Sequence, residues 1–374
     1  MLNGLPLALS IALFVLSSLL AHILIGSLDE QTVGNSEGTK CKRRALAKNI
    51  AAENIPPEEG SKLEEPVRKL LLRTPNRVVD EICSEQEDDT CFEIIDEFMD
   101  DFDRLLAYRK LKRKGDEGIL TLSKAMIQPP TPLTVEGLDT KKWKIRKDTV
   151  PMTYARLMIV GTFMCGALEF DARREQNVLV IGLGGGVINN YLTTMKNQKL
   201  NVTVVDIDPV MKKVAEKWYG FEGSPLHRII VQDGVDFLRD AVKRGEKYNV
   251  VLIDVSYNII LDFMGPTDEF LREDVIKSMR TVIVDTGAVI VNIFADKGAK
   301  DKGSKQVHSI YSRHFPSCYL LTHSEDDRVL FCSAKENNSW DENREELHER
   351  YVTVDKALGF LLSSEDHCST YPLD

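Results

Sequence analysis

The stretch VLVIGLGGGVINN, Val178 to Asn190, runs four apolar residues into a cluster of glycines and heads a repeating pattern. From Gln176 onward, short β-branched runs alternate with amphipathic ones. NVLVIG is followed by GVINNYLTTMK, NVTVVDID by PVMKKVAEKWYG, RIIVQD by GVDFLRDAVKRG, and YNVVLIDV by DEFLREDVIKSMRTVI. GAVIVNIFA, SKQVHSIYSRHF and the paired runs CYLLTH and RVLFCSA end the series. A strand–helix alternation of this kind demands a mainly parallel sheet with helices on both faces, an α/β fold. Asp208 is placed to cap the second of these helices, with Pro209 at its first position.

The ends of the strands carry the chemistry. Gly182, Gly184, Gly185 and Gly186 follow the first strand in the pattern G-x-G-x-G, with Val187 where a dinucleotide fingerprint needs its third glycine. Glycine lets the backbone turn sharply and lets a ligand lie against it, while the next helix offers its N-terminal N–H groups. The second strand ends in Asp206, placed to accept both hydroxyls of a ribose. The third ends in Asp233, which can accept from an adenine amino group, and the fourth in Asp254. Ligands of open parallel sheets bind at the carboxyl ends of the strands. A glycine loop and three acids on one edge point to a nucleoside-containing ligand.

From about Tyr154 to Ala334 the sequence resembles the class I S-adenosylmethionine-dependent methyltransferases. More narrowly it is similar to their spermidine-synthase-like branch, which includes polyamine synthases and the methyltransferase-like 13 proteins. The resemblance rests on VLVIGLGGG, DIDPVMKKVAEKWYGF, VQDGVDFL and YNVVLIDV, in that order. It implies a Rossmann-like sheet whose last strand is antiparallel, with S-adenosylmethionine as cofactor. Gly182, Gly184 and Gly186 would cradle its amino-acid part, Asp206 with Ile207 the ribose, and Asp233 with Gly234 the adenine. Asp254 falls at the catalytic acid of the polyamine synthases.

Departures narrow the reaction. Where polyamine synthases carry a second acid that holds a cationic amine, this chain has Tyr257. Where they carry Tyr-Gln-Glu it has Tyr154, Ala155 and Arg156, and Arg156 is expected to bring positive charge to the amine's place. Gly184 to Gly186 replaces their Gly-Asp-Gly. These differences disfavour aminopropyl transfer and leave methyl transfer to an amine of a protein or small molecule. Asp254 is then either the base or only a cofactor contact, and Tyr257 an orienting group. A homodimer is implied by the resemblance alone.

The remainder reads as follows. Residues 1–26 include the apolar run Leu5–Gly26, long enough to cross a ~30 Å hydrocarbon core. With KCKRR (Lys40–Arg44) behind it, a single-pass membrane anchor is expected, the alternative being a cleaved signal and secretion. Residues 27–66 read as a polar linker and residues 67–150 as a small helical and β-hairpin region. Within the latter, Phe92, Ile95, Phe98, Met99, Phe102, Leu105 and Leu106 recur at helical spacing. The cofactor domain is expected over 151–335 and a C-terminal tail over 336–374, polar until VTVDKALGFLL. The net charge of -10 argues against nucleic acid as a partner. No CxxC pair or histidine cluster suggests a metal. Cys165 and Cys332 read as buried thiols, while Cys83 and Cys91 either close a loop in an oxidising compartment or stay free. Sequons at Asn201 and Asn337 matter only in a lumenal chain, and the first directly precedes a core strand.

Overall fold

The computed structural model describes residues 61–363, apart from 85–89, 102–103, 116–120, 171–172, 258, 260, 297, 324–326, 336–339 and 341–342. The run Leu5–Gly26, and with it the expected anchor, lies outside the described residues, as does the sequon at Asn337. Among the described residues no helix is long and apolar enough to cross a membrane.

Helix α1 (Ser61–Arg73) starts inside the stretch read as linker and leads into β1 (Asn76–Cys83), β2 (Cys91–Asp101), β3 (Arg104–Arg113), β4 (Thr121–Gln128) and β5 (Lys144–Ile145). These strands form one antiparallel sheet in sequential order. The segment expected as an amphipathic helix over residues 92–106 is therefore a strand pair, registered from Phe92↔Arg113 to Asp101↔Arg104. Phe92, Ile94, Asp96 and Phe98 all face inward, with a period of two. An aspartate at one of those inward positions masks the alternation.

That aspartate is inward because it has a partner. Arg109 on β3 binds Asp96 through two hydrogen bonds of 2.8 and 2.9 Å, with side-chain exposures of only 2% and 0%. The guanidinium also donates to the carbonyls of Thr140 (2.9 Å) and Trp218 (3.3 Å) and lies over the Trp218 ring. Every N–H of a buried arginine needs an acceptor, and here the acceptors come from three separate parts of the chain. Beside this pair, Glu97 is a second charge of β2 that pairs across strands. Glu97 meets Lys110 and Lys124, the latter at 2.9 Å.

Beyond the first sheet, α2 (Thr153–Met164) precedes β6 (Gln176–Ile181), α3 (Val187–Thr194), β7 (Leu200–Asp206), α4 (Pro209–Trp218), β8 (His227–Val231), α5 (Gly234–Arg244) and β9 (Tyr248–Ile253). Then come β10 (Phe263–Gly265), α6 (Glu273–Val282), β11 (Ile283–Ala295), α7 (Lys300–Tyr311), β12 (Ser317–Thr322), β13 (Arg328–Ser333) and α8 (Arg344–Leu358). The main sheet runs β12-β13-β11-β9-β6-β7-β8. β11, β9, β6, β7 and β8 are parallel to one another, and the last strand, β13, runs antiparallel between β11 and β12. The chain starts at β6, builds outward through β7 and β8, then crosses back to β9. The strand order therefore reverses between β6 and β9, where such sheets open a crevice.

One face of this sheet is covered by α2, α3, α4 and the first sheet, the other by α5, α6 and α7. α8 packs on α2 with Leu347, Tyr351 and Val354 buried, so the stretch read as a C-terminal tail contributes to the core. Asp208 caps α4 by accepting from the Val210 N–H at 2.9 Å, with Pro209 next, as the sequence indicates. Two disulfides are present. Cys83–Cys91 joins β1 to β2, and Cys318–Cys332 joins β12 to β13 with Cα atoms 4.1 Å apart. Cys332 is thus not the free thiol expected of it, because antiparallel register sets it directly opposite Cys318. Cys165 is free and buried.

Arg109→Ala strands Asp96 in the core and is expected to destabilise the protein by about 3–5 kcal/mol. Lys217→Ala, which removes an exposed ion pair to Asp80 of 2.8 Å, should cost less than about 1 kcal/mol. Urea-denaturation midpoints of the two variants against the parent measure the contrast.

Candidate functional site

A cavity of about 600 Å3 opens at the carboxyl ends of β6, β7 and β9, within the size range of small-molecule sites. The glycine loop forms its floor. Gly182, Gly184 and Gly186 all have positive φ, at 95°, 49° and 77°, which favours glycine. Space imposes the same choice. A Cβ on Gly182 would stand 2.1 Å from the backbone oxygen of Asp254, and one on Gly184 2.7 Å from the Ser123 hydroxyl. The Ser123 hydroxyl, on β4 of the first sheet, accepts the Gly185 N–H at 2.8 Å, and the Tyr219 ring closes the space behind Gly185.

Asp206, at the end of β7, accepts the Leu183 N–H at 2.8 Å and the Asp208 N–H at 2.9 Å, one on each oxygen. A carboxylate oxygen can accept more than once, so both retain capacity toward the cavity. Burial pushes this carboxyl up to about 6, against the two N–H bonds that hold it down. Ile207 lines the cavity and is 57% exposed, an unusual position for an isoleucine and a flat apolar surface for a base. Asp233 caps α5 by accepting from Val235 (2.7 Å) and Asp236 (3.2 Å) through a single oxygen, Oδ1, and it also lines the cavity beside Gly234. Gly182, Gly184, Asp206, Ile207, Asp233 and Gly234 are thus brought together along one wall. Gly186 turns the loop into α3 behind them. A ribose-seeking carboxylate, an exposed apolar side chain and a crowded glycine turn fit the nucleoside donor that the sequence resemblance implies.

Asp254 stands at the end of β9, across β6 from Asp206. Its Oδ1 accepts from Asn292 at 2.9 Å and its Oδ2 from the Tyr154 hydroxyl at 3.3 Å. Burial pushes the carboxyl up to about 6, with those two donors acting the other way. Tyr154 keeps its proton well above the ordinary range, through burial and the neighbouring negative charges of Asp254 and Asp327. Tyr257 lines the wall, but its hydroxyl oxygen accepts the Asp268 N–H at 3.1 Å, so it is anchored to the segment that follows.

Arg156 is not in the cavity. It turns to the far side of α2, donates to the Val150 carbonyl and lies over Phe360. On a helix with one face to the site, Tyr154 and a residue two positions on point apart. The charge expected beside the acceptor is therefore absent. The cavity wall carries Asp206, Asp208, Asp233, Asp254, Glu269 and Asp327 and, among the described residues, no lysine, arginine or histidine. Asn292, Ser123 and Asp327 were not singled out from the sequence. The one visible signal was Asn292, a lone polar residue inside the apolar strand run GAVIVNIFA.

No family model matches the chain. Over 194 residues it is 29% identical to the eEF1A lysine and N-terminal methyltransferase of Homo sapiens, covering 50% of this chain and 27% of that protein. It is 26% identical over 177 residues to the polyamine aminopropyltransferase of Vibrio vulnificus, covering 47% of this chain and 54% of that one. The chain thus spans less than a third of the length of the methyltransferases it matches. A probable spermidine synthase from Corynebacterium glutamicum superposes with a TM-score of 0.52 at 13% identity, over 75% of this chain and 94% of that one. The chain has the spermidine-synthase-like, class I methyltransferase fold.

In this methyltransferase fold, Asp254 holds its charge against burial. An acid whose folded pKa lies above its unfolded value binds protons more tightly when folded. It therefore lowers stability progressively as pH rises from about 4 to about 6, and keeps that cost above. Asp254→Asn, which keeps the shape without the charge, should match the parent near pH 4. It should exceed the parent by about 1–3 kcal/mol at pH 7, read from urea unfolding at the two pH values.

Proposed function

We propose that the chain is an S-adenosylmethionine-dependent methyltransferase acting on an amine of a protein. One observation carries this reading: a buried carboxylate, Asp254, is held by Asn292 and Tyr154 in the same cavity as Asp206 and Ile207, at a strand end across β6 from them. The likeness to methyltransferases of eEF1A lysine and N-terminal amines supports it.

Gly182 and Gly184 would face the amino-acid part of the donor, Asp206 the ribose hydroxyls, and Ile207, Asp233 and Gly234 the adenine. When bound, the donor supplies a carbon attached to a positively charged sulfur, open to displacement by a nucleophile. The rest falls to the chain. A nitrogen accepts a methyl group only through its lone pair, so a protonated amine must first give up a proton. Asp254 faces the acceptor end and is the group placed to take it, with Asn292 and Tyr154 fixing its orientation. Holding the amine in line against the donor supplies much of the rate, as positioning alone contributes up to ~7–11 kcal/mol.

Calorimetry should show saturable binding of S-adenosylmethionine, weakened about 10- to 100-fold by Asp206→Ala. Asp254→Asn should retain donor binding and lose about 10²- to 10⁴-fold in kcat on an amine-bearing protein acceptor. Because Asp254 must be ionised to take a proton, the parent's kcat should fall as pH drops below about 6. A protein that binds no donor at any concentration removes the reading.

A second reading is favoured by the disulfides. Paired cysteines persist in oxidising compartments, and Cys83–Cys91 and Cys318–Cys332 take up four of the five cysteines among the described residues. With the apolar run Leu5–Gly26, this supports a chain that enters the secretory pathway, there binding a nucleoside without transferring a methyl group. Thiol labelling of denatured protein from its native source decides the compartment: four protected cysteines support entry, and free thiols at all four positions exclude it. Asn201 is a poor glycan acceptor in either case, since its side chain bonds to Glu175, Asn177 and Arg228.

A further inference from the structure

The two disulfides differ in access. Cys318 and Cys332 are 6% and 0% exposed inside the main sheet, whereas Cys83 is exposed and Cys91 half-buried on the first sheet. A dithiol reductant can reach Cys83–Cys91 and is kept from Cys318–Cys332.

Antiparallel register fixes what surrounds the accessible pair. Cys83 stands opposite Cys91, and Glu81 opposite Glu93. Alternate residues of a strand share a face, so two sulfurs and two carboxylates form a square on the outward face. Ile82 and Phe92, between them, pack into the core. Backbone bonds close the same end of the hairpin, with the Ser84 N–H donating to the Thr90 carbonyl and the Lys114 N–H to the Cys91 carbonyl, both at 2.8 Å. The strand ends therefore stay apposed when the sulfur–sulfur bond is open. The Glu81 carboxylate and both sulfurs already lie within 4.8 Å of one another. Ligands of a tetrahedral zinc stand about 3.5–3.8 Å apart.

We propose that reduction turns this pair into a zinc site, with Cys83 and Cys91 as thiolate ligands, Glu81 as the third ligand and water in the fourth place. The step balances. The disulfide takes two electrons and two protons from a dithiol, which leaves as its own disulfide, and Zn2+ then displaces the two thiol protons. Two thiolates beside one carboxylate suit zinc, where carboxylates alone suit magnesium or calcium. No CxxC spacing marks the site, because the cysteines are 8 apart in sequence and meet only through the register. Lys114 opposes the ion, since its ammonium binds Glu81 at 2.7 and 2.8 Å. Closed by sulfur in an oxidising compartment and by zinc in a reducing one, the hairpin keeps β1 in place. With β1 stays Asp80, which accepts from Trp218 Nε1 at 2.7 Å at the end of α4.

The full chain, reduced with a phosphine and freed of metal, is titrated with Zn2+ against a chromophoric chelator. The reduced chain should bind one zinc here with a Kd at or below about 1 μM, and the oxidised chain should not. Cys83→Ser and Cys91→Ser should each abolish this binding. Glu81→Gln should weaken it about tenfold or more, as even an outer-shell partner of a metal ligand is worth about 10- to 100-fold. Lys114→Ala, which removes a like charge, should tighten it about fivefold. Co2+ in place of zinc should give the parent the charge-transfer absorption of thiolate ligation, a readout that needs no variant. Binding weaker than about 1 μM in the reduced chain, equal binding in the oxidised chain, or a Co2+ spectrum without thiolate absorption each overturn the proposal. An affinity unmoved by either serine variant or by Glu81→Gln overturns it as well.

Discussion

The guanidinium of Arg109 is the point on which the two sheets depend. It neutralises Asp96 inside the antiparallel sheet, then reaches out of that sheet to the carbonyls of Thr140 and Trp218. Trp218 ends α4, and the next residue, Tyr219, sends its hydroxyl back to the Arg109 carbonyl at 3.3 Å while its ring backs Gly185. Ser123 completes the circuit from β4 to the Gly185 N–H. The glycine loop is thus set by a continuous path from a buried ion pair. Burying two charges is costly in itself, and the cost is offset by four hydrogen bonds from the guanidinium, two to Asp96 and two to backbone carbonyls. Such a pair contributes register and docking geometry more than net stability.

The site built on that path trades stability for charge. Asp206 and Asp254 are both pushed up to about 6 by burial, and among the described lining residues no cation relieves them. Both are instead oriented by neutral donors: backbone N–H groups for Asp206, and an amide and a phenol for Asp254. Neutral donors fix direction without cancelling charge. The cavity therefore remains a negative region, awaiting positive charge from whatever enters it.

Most of the main sheet was legible in the sequence, because each of its strands is a short apolar run and each parallel pair is separated by an amphipathic helix. The helix cap at Asp208 and the acids at the ends of β7, β8 and β9 follow from that alternation. In the first sheet, β2 and β3 were not legible as strands, and Asp96 and Arg109 explain why. Placing two charged residues at inward positions erases the period of two and leaves a pattern that imitates a helix. Arg156 was misplaced for a related reason: motif alignment fixes a residue's position along a helix but not the face it occupies. Cys332 escaped because its partner is opposite in register, not close in sequence. Asn292 and Asp327 reach the site from β11 and the entry to β13, beyond any local motif.

The packing of the glycine loop has a consequence for descent. Gly184 and Gly185 are confined by Ser123 and Tyr219, groups of the chain itself, and Gly182 by the backbone of Asp254. A relative that abandoned its nucleoside would gain no freedom to replace these glycines while β4 stayed docked against the loop. The motif would outlive the ligand as a fossil of it. Asp206 is tied in the same way by the Leu183 and Asp208 N–H groups it accepts, so the residue free to drift would be the exposed Ile207, and its retention marks a working relative more reliably than the glycines do.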